Sequence, residues 1–235
     1  MNSSNSKNFV SNATNYFNTT APWNKVLLFV FVLVLFVLII YFGYNSNKNR
    51  QKMLLGQTLI TNNIIINSST PLSNVSVVKS PNYEMSFSFW LNIKDLTVNS
   101  TAGIYPLFSA QTSSATSPIN YVTVGVDQTS NNLLLEFLIP NSDPLYVSLA
   151  NIPMYTISYY VITITGRYVN IFLNGELVQS SLLSAMPSVI ASNTFNISLG
   201  PVPGLNAQIG KLYYFNRILQ MPDIATLVND TPVFS

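Results

Sequence analysis

The pattern of apolar and polar residues changes abruptly along the chain. Residues 1–24 are polar and rich in Asn, Ser and Thr, whereas residues 26–42 read VLLFVFVLVLFVLIIYF without a charged or polar break. With Gly43 and Tyr44, this run reaches roughly 28 Å as an α-helix, close to the roughly 30 Å hydrocarbon core of a bilayer. The pattern therefore predicts a polar N-terminal tail followed by a transmembrane helix over residues 25–44.

The residues at both ends of this run suit the two interfaces of a membrane. Aromatic side chains accumulate at the level of the headgroups, and long basic side chains extend their charges toward them. A buried core helix and a cleaved signal peptide are the alternatives, but the run is longer than the apolar core of a signal peptide and begins far from the N-terminus. The predicted anchor residues are Trp23, Lys25, Val26, Phe36, Phe42 and Tyr44.

A basic cluster follows the apolar run. Lys48, Arg50 and Lys52 lie in a segment over residues 45–57 that we interpret as a juxtamembrane linker. Basic residues accumulate on the cytosolic side of membrane spans, and this cluster outweighs the basic residues that precede the run. We therefore expect a single-pass membrane protein whose C-terminal domain lies on the cytosolic side.

From about Thr58 onward the pattern has a period of two, which is typical of β-strands. In Met85–Ile93 (MSFSFWLNI) alternate residues form an apolar face opposite serine and asparagine, so we expect one buried face. Asn174-Gly175 predicts a two-residue hairpin turn, because such a turn needs positive φ angles. Many short strands without intervening amphipathic helices indicate an all-β sandwich or barrel over residues 58–235. The other predicted elements are strands at Val122–Val126, Leu133–Ile139, Tyr160–Thr165, Tyr168–Leu173, Glu176–Ser180, Phe195–Leu199 and Gln208–Phe215, and a short helix at Pro222–Val228.

Three segments in order resemble a known family. Tyr160–Val178 (YVITITGRYVNIFLNGELV), Met85–Leu91 and Ile209–Ile224 (IGKLYYFNRILQMPDI) resemble strands of laminin-G-like domains in the concanavalin A-like lectin/glucanase superfamily. The resemblance implies a two-sheet antiparallel jelly roll. It also implies that Arg217 is structural and ties the closing strand to the short helix. The sequence departs from the family where Tyr160, in place of Trp, leads the hairpin unit, and we interpret this departure as a change in packing.

The composition excludes several kinds of chemistry. The chain has no His and no Cys, so it has no Ser-His-Asp triad, thiol nucleophile, Cys/His zinc site or disulfide. Charged residues make up 8% of the chain and the formal net charge is +2, which argues against nucleic acid as a partner. Apolar residues make up 48%, enough to build a core and to argue against intrinsic disorder.

The acids are scattered and lack the closely spaced carboxylate pair of the family's glucanases. Glu136 stands out because it lies in Leu133–Ile139, which is otherwise apolar on both faces, as expected of a central strand. It is a weak candidate for a ligand contact or an acid with a raised pKa, and a structural carboxylate is the favoured interpretation. Asp127 and Asp143 lie in neighbouring loops and are weak ligand candidates for calcium, which needs converging oxygen atoms. The asparagines near them are Asn131, Asn132 and Asn141. No cofactor is expected.

These features favour a non-enzymatic structural or interaction protein. A neutral surface rich in Asn, Ser and Thr is suited to permanent neighbours. The composition together with a jelly roll suggests a minor capsid protein of a large DNA virus, which would tether the inner membrane of the virion to its protein shell. The alternative is a membrane-displayed lectin-like protein, for which a glycan would be the partner.

Overall fold

The structure is a computed structural model that describes residues 22–54, 57–98, 100, 102–112, 118–188 and 190–232. It divides the chain into two compact units, residues 1–55 and 56–235.

The first unit contains helix α1 (Pro22–Leu54). The predicted helix over residues 25–44 is thus present, and it continues through most of the segment that we interpreted as a linker. From Val26 to Phe42 its apolar side chains are 44–68% exposed, except for the half-buried Leu28. Among the described residues, no helix is both long and apolar enough to cross a membrane. The prediction of a transmembrane span over residues 25–44 is therefore not confirmed.

Several residues of the predicted anchor can be placed. Trp23 is 77% exposed, and Val26, Phe36 and Phe42 lie on the exposed surface of α1. The polar tail up to residue 21 lies outside the described part of the chain, and so do some of the predicted side chains. These are Lys25, Tyr44, Lys48, Arg50 and Lys52.

The second unit is a sandwich of two antiparallel sheets, as predicted. Sheet A has the strand order β1-β12-β3-β8-β9-β10, and sheet B has the order β2-β11-β4-β5-β6-β7. A short helix, α2, follows the last strand. The elements are β1 (Gln57–Ile66), β2 (Ser73–Val78), β3 (Glu84–Leu96), β4 (Ile104–Gln111), β5 (Asn120–Asp127), β6 (Leu133–Phe137), β7 (Leu145–Leu149), β8 (Ser158–Thr165), β9 (Tyr168–Leu173), β10 (Glu176–Leu182), β11 (Thr194–Leu199), β12 (Leu205–Phe215) and α2 (Met221–Leu227).

All the predicted strands are present, but β1, β2, β4 and β7 were not among the predicted strands. Pro106 interrupts the pattern of β4, and the register of β4 against β5 shifts between Pro106 and Phe108. Proline lacks the backbone N–H of a ladder and therefore argues against a strand when only the sequence is read. The hairpin turn is as predicted, with φ angles of 52° at Asn174 and 92° at Gly175.

The core between the sheets is dominated by aromatic rings. The ring centroids of Phe87 and Phe108 lie 5.2 Å apart, and Phe89 contacts Phe108 at 5.3 Å. Tyr160 is fully buried and stacks on Phe89 at 5.5 Å. The tyrosine at the head of the hairpin unit thus fills a core position, which agrees with our interpretation of this departure as a change in packing.

Strand β3 is buried on both faces, which corrects the expectation of one buried face. Ser86 and Ser88 on its outer side are fully buried, because the chain after β12 folds back over the outer surface of sheet A. The Ser86 hydroxyl donates to the carbonyl of Arg217 (2.8 Å) and accepts from the N–H of Leu219 (3.1 Å). The Trp90 indole donates to the carbonyl of Asp230 (3.2 Å). The hydroxyl of Ser86 thus bonds the returning segment at two backbone positions.

Arg217 has the structural role that the resemblance implied. Its guanidinium lies 2.6 Å from the carboxylate of Asp223. The same carboxylate accepts from the N–H of Gln220 (3.1 Å), at the N-terminus of α2. One ion pair therefore joins the end of β12 to the start of α2, and it places the apolar side of α2 on sheet A.

We predict that Ile224→Ala lowers the free energy of unfolding by about 2–4 kcal/mol, the range for truncating a buried aliphatic side chain. Ile224 is fully buried on α2, whereas Met221 on the same helix is 54% exposed. Met221→Ala is the matched control and should change stability by less than about 0.5 kcal/mol. Urea unfolding followed by near-UV circular dichroism measures both. Equal effects of the two variants would show that α2 does not pack on sheet A.

Candidate functional site

A row of hydrogen-bonding side chains crosses the outer face of sheet B. The register pairs Asn74 with Ser198, Ser198 with Ser109, Ser109 with Thr123, Thr123 with Glu136, and Glu136 with Tyr146. One residue from each of the six strands therefore lies in a single line, about 24 Å long at the usual strand spacing. We call this set the polar row: Asn74, Ser198, Ser109, Thr123, Glu136 and Tyr146.

The polar row points away from the core because its sequence neighbours point into it. Val122 and Val124 flank Thr123 and are buried between the sheets, as are Leu135 and Phe137 on either side of Glu136. Side chains alternate between the two faces of a strand, so Thr123 and Glu136 face outward. The same alternation holds across sheet B and gives its outer surface a neutral, hydroxyl-rich character.

Hydrogen bonds link members of the polar row. The Ser109 hydroxyl donates to the Thr123 hydroxyl (3.2 Å), and the Tyr146 hydroxyl donates to the Glu136 carboxylate (3.3 Å). At the other end of the row, the Gln111 amide donates to the Asn74 side chain (3.0 Å). These bonds orient the row and leave Glu136 as its charged member.

Glu136 and Tyr146 form an acid and aromatic pair at one end of the polar row. Glu136 is half-buried, and so are Leu134 and Leu138, which share its face as the sequence predicted. Partial burial of Tyr146, followed by the negative charge and the hydrogen bond of Glu136, raises the pKa of the Tyr146 phenol above its ordinary value. Strand β6 pairs with β5 on one side and with the edge strand β7 on the other, so it is an interior strand of sheet B, as predicted. Its burial alternates between fully buried residues on the core side and half-buried residues on the outer side.

Asp127 is engaged in the turn after β5. Its carboxylate accepts from the N–H and the hydroxyl of Thr129 (both 2.8 Å) and from the hydroxyl of Ser130 (3.0 Å). Burial alone would raise the pKa of Asp127, but these hydrogen bonds stabilise the carboxylate and leave the pKa below its ordinary value. This is the behaviour of a structural turn residue.

The structure does not bring Asp127 and Asp143 together. Asp127 follows Val126, which pairs with Leu133 at one end of β6, whereas Asp143 lies in the loop after the other end of β6. Asn131 donates to the carbonyl of Ile152, and the Asn132 side chain accepts from the N–H of Asn151. Within the described ranges, no three acidic side chains form a group that could hold a metal ion.

The arrangement is suited to recognising a neutral polar ligand by hydrogen bonds. Hydroxyl, amide, carboxylate and phenol groups all lie along one line, and such groups bond ligand hydroxyls or amides. Ser109 and Thr123 in the middle of the row are buried and bond each other, so the groups within reach of a ligand lie toward its two ends. Sequence analysis found Glu136 but missed its partners, because the register that aligns six strands has no local signal. Alternating hydroxyl residues in β5 and β11 were the available hint.

Comparison with models of protein families shows the family to which the chain belongs. The family model for the concanavalin A-like lectin/glucanase superfamily, of the laminin G type, matches residues 67–225. The chain belongs to this superfamily. The match extends from the segment before β2 into α2, so this laminin-G-type domain includes most of sheets A and B. No curated protein matches the chain.

Solved structures of the same fold are receptor-binding domains of bacterial toxins. The receptor binding domain of botulinum neurotoxin D is 19% identical, with a TM-score of 0.54, and covers 74% of this chain and 45% of that chain. The serotype D ligand binding domain in complex with N-acetylneuraminic acid is 19% identical, with a TM-score of 0.53, and covers 74% and 43%. The chain therefore spans less than half of each toxin domain, and the likeness shows the fold alone.

We predict that Glu136→Gln lowers the pKa of the Tyr146 phenol toward its ordinary value of about 10. The substitution removes the negative charge, which is one cause of the raised pKa, while the partial burial remains. The measurement is a pH titration of ¹³C-labelled tyrosine side chains by NMR. Asp95→Asn, on β3 of the other sheet, is the control. An unchanged Tyr146 titration in Glu136→Gln would contradict the pairing.

Proposed function

We propose that the chain is a non-enzymatic interaction protein that α1 holds at a lipid bilayer while the sandwich contacts neighbouring proteins. The observation that carries this proposal is the exposed apolar surface of α1 between Val26 and Phe42. Large exposed apolar surfaces mark contacts with membranes or proteins. In the sequence, Gly43 and Tyr44 extend the apolar run toward the length of a membrane span, which supports the proposed single-pass anchor.

The sandwich supports a role in contact rather than catalysis. Residues 56–235 contain five basic and eight acidic residues, a balance of 5 − 8 = −3. Two of the basic residues are already paired, Lys211 with Asp230 and Arg217 with Asp223. A neutral surface of hydroxyl and amide groups offers little charge repulsion against association with neighbours.

We place the sandwich on the cytosolic side, since Lys48, Arg50 and Lys52 follow the apolar run. We further propose that the protein is a minor capsid component that links the inner membrane of a virion to its shell. The absence of Cys and His, the abundance of Asn and the jelly-roll fold support this assignment. Crosslinking mass spectrometry on the native particle identifies the neighbours directly.

We predict that the full chain stays with membranes after extraction at alkaline pH. Replacing Leu33 and Val37 by Arg should release it, because each buried Arg costs about 2.5–3.5 kcal/mol on insertion scales. The variant with Ala at the same two positions is the matched control and should remain bound. Protease protection in sealed vesicles then reports the side on which the sandwich lies. Release of the wild-type chain by alkali would overturn the membrane assignment.

Glycan binding is the second candidate function, and the polar row favours it. Sugars present many neutral hydroxyl groups, and a line of hydroxyl, amide and carboxylate side chains beside an aromatic ring can bond and stack with them. Tyr146 supplies that ring and is 56% exposed. A structure of the same fold has been solved with N-acetylneuraminic acid bound, which makes sialylated glycans suitable first probes.

If the polar row binds glycans, the full chain in detergent should bind a subset of a glycan array saturably and without added calcium. Tyr146→Ala should then weaken binding at least tenfold. Tyr168→Ala removes a tyrosine of similar exposure (59%) from the other sheet and is the control. Failure to bind any glycan, or equal loss in both variants, would reject this second function.

A further inference from the structure

The edge strands β7 and β10 border a groove on one side of the sandwich. β7 ends the strand order of sheet B, and β10 ends that of sheet A. The groove between them has a volume of about 380 Å³. One wall is formed by β7 and includes Val147 and Ser148. The other wall is formed by β10 and the residues directly after it, and includes Gln179 and Ser181.

The paired length of β7 carries neither of two features that often block pairing at a sheet edge, a charge or a proline, although Asp143 and Pro144 directly precede it. The lining of the groove contains no charged residue and no proline among the described residues. The register of β7 against β6 is regular, and the described strands leave its other side unpaired. Exposed edges are normally protected by charge, proline or bulges, because their free N–H and C=O groups can template another strand. β7 is therefore open to strand addition.

The inward side of β10 shows that the sandwich is open at this groove. Gln179 and Ser181 pair with Ile171 and Val169, which face the core, yet both are polar and half-buried. The Gln179 amide donates to the Ser181 hydroxyl (3.1 Å). A strand added to β7 would continue sheet B opposite these two side chains, and its inward residues would meet polar groups.

We propose that this groove receives an extended, uncharged peptide segment of a neighbouring protein, which adds to β7 as a seventh strand of sheet B. Its inward side chains are Ser, Thr or Asn, which match Gln179 and Ser181. Pairing of β7 with β7 of a second copy fits less well, because Val147 would then face those polar groups. This inference rests on the interaction role proposed above and names the surface that performs it.

The first test selects peptides against the full chain in mild detergent. The probe is a display library of heptapeptides built from Ser, Thr, Asn, Gln, Val and Leu. Selected peptides should slow hydrogen exchange of the β7 amides, residues 145–149, and should lose binding when alternate backbone nitrogens are methylated. A library that yields no binder, or methylated peptides that bind equally, would overturn the proposal. So would protection of β7 by an oligosaccharide in place of a peptide.

Two neighbouring serines provide a matched pair of variants. Ser181 lines the groove, whereas Ser180 is exposed and pairs with Asn170 on the outer face of sheet A. Ser181→Lys should weaken binding of the selected peptide at least tenfold, and Ser180→Lys by less than twofold. If Ser181→Lys fails to fold, Ser148→Lys on the opposite wall replaces it. Equal affinities in the Ser180 and groove variants would contradict the assignment.

Crosslinking on the native membrane or particle distinguishes a failure of the groove proposal from a failure of the proposed interaction role. Crosslinks from neighbouring proteins to residues beside the groove support both proposals. Crosslinks that reach the sandwich only at other surfaces reject the groove and leave the interaction role intact. If no protein neighbour crosslinks to the sandwich, the interaction role itself fails.

Discussion

The alternation of side chains along paired strands governs both the stability and the surfaces of this domain. When Phe87 and Phe89 turn into the core, Ser86 and Ser88 must point to the opposite side of sheet A. In sheet B the same rule sends Thr123 and Glu136 outward whenever Val124 and Leu135 are buried. Each buried apolar face therefore determines which polar groups are presented on the other.

The two outer faces use this constraint in different ways. On sheet A the returning segment with α2 covers the outer side of β3, and the Arg217–Asp223 ion pair fixes where that segment turns. On sheet B the polar row crosses the outer face with hydroxyl, amide and carboxylate groups. One face is consequently covered by the chain's own returning segment, and the other presents a largely neutral surface.

The neutrality of the sandwich has a second consequence at its edges. A domain with few charges has few of the lysines that commonly protect edge strands. β7 illustrates this, because Leu145–Leu149 has neither charge nor proline. A freely diffusing protein risks aggregation through such an edge, whereas the interaction role proposed above would make use of it.

The sequence by itself determined the elements whose signals are local. Period-two alternation predicted most of the strands and hence an all-β sandwich or barrel, and the family resemblance implied the two sheets. Asn174-Gly175 predicted the hairpin turn, and the apolar run predicted α1. Glu136 could be singled out because one acid among leucines is visible in sequence. The Arg217 contact was foreseen from the family pattern alone.

Only the tertiary structure decided which residues meet across strands. The alignment of Ser198, Thr123 and Glu136 depends on strand order and register, which join residues far apart in the chain. Likewise, the burial of Ser86 depends on where the chain after β12 returns. Local sequence records the face on which a side chain lies, but the neighbours on that face are set by long-range pairing.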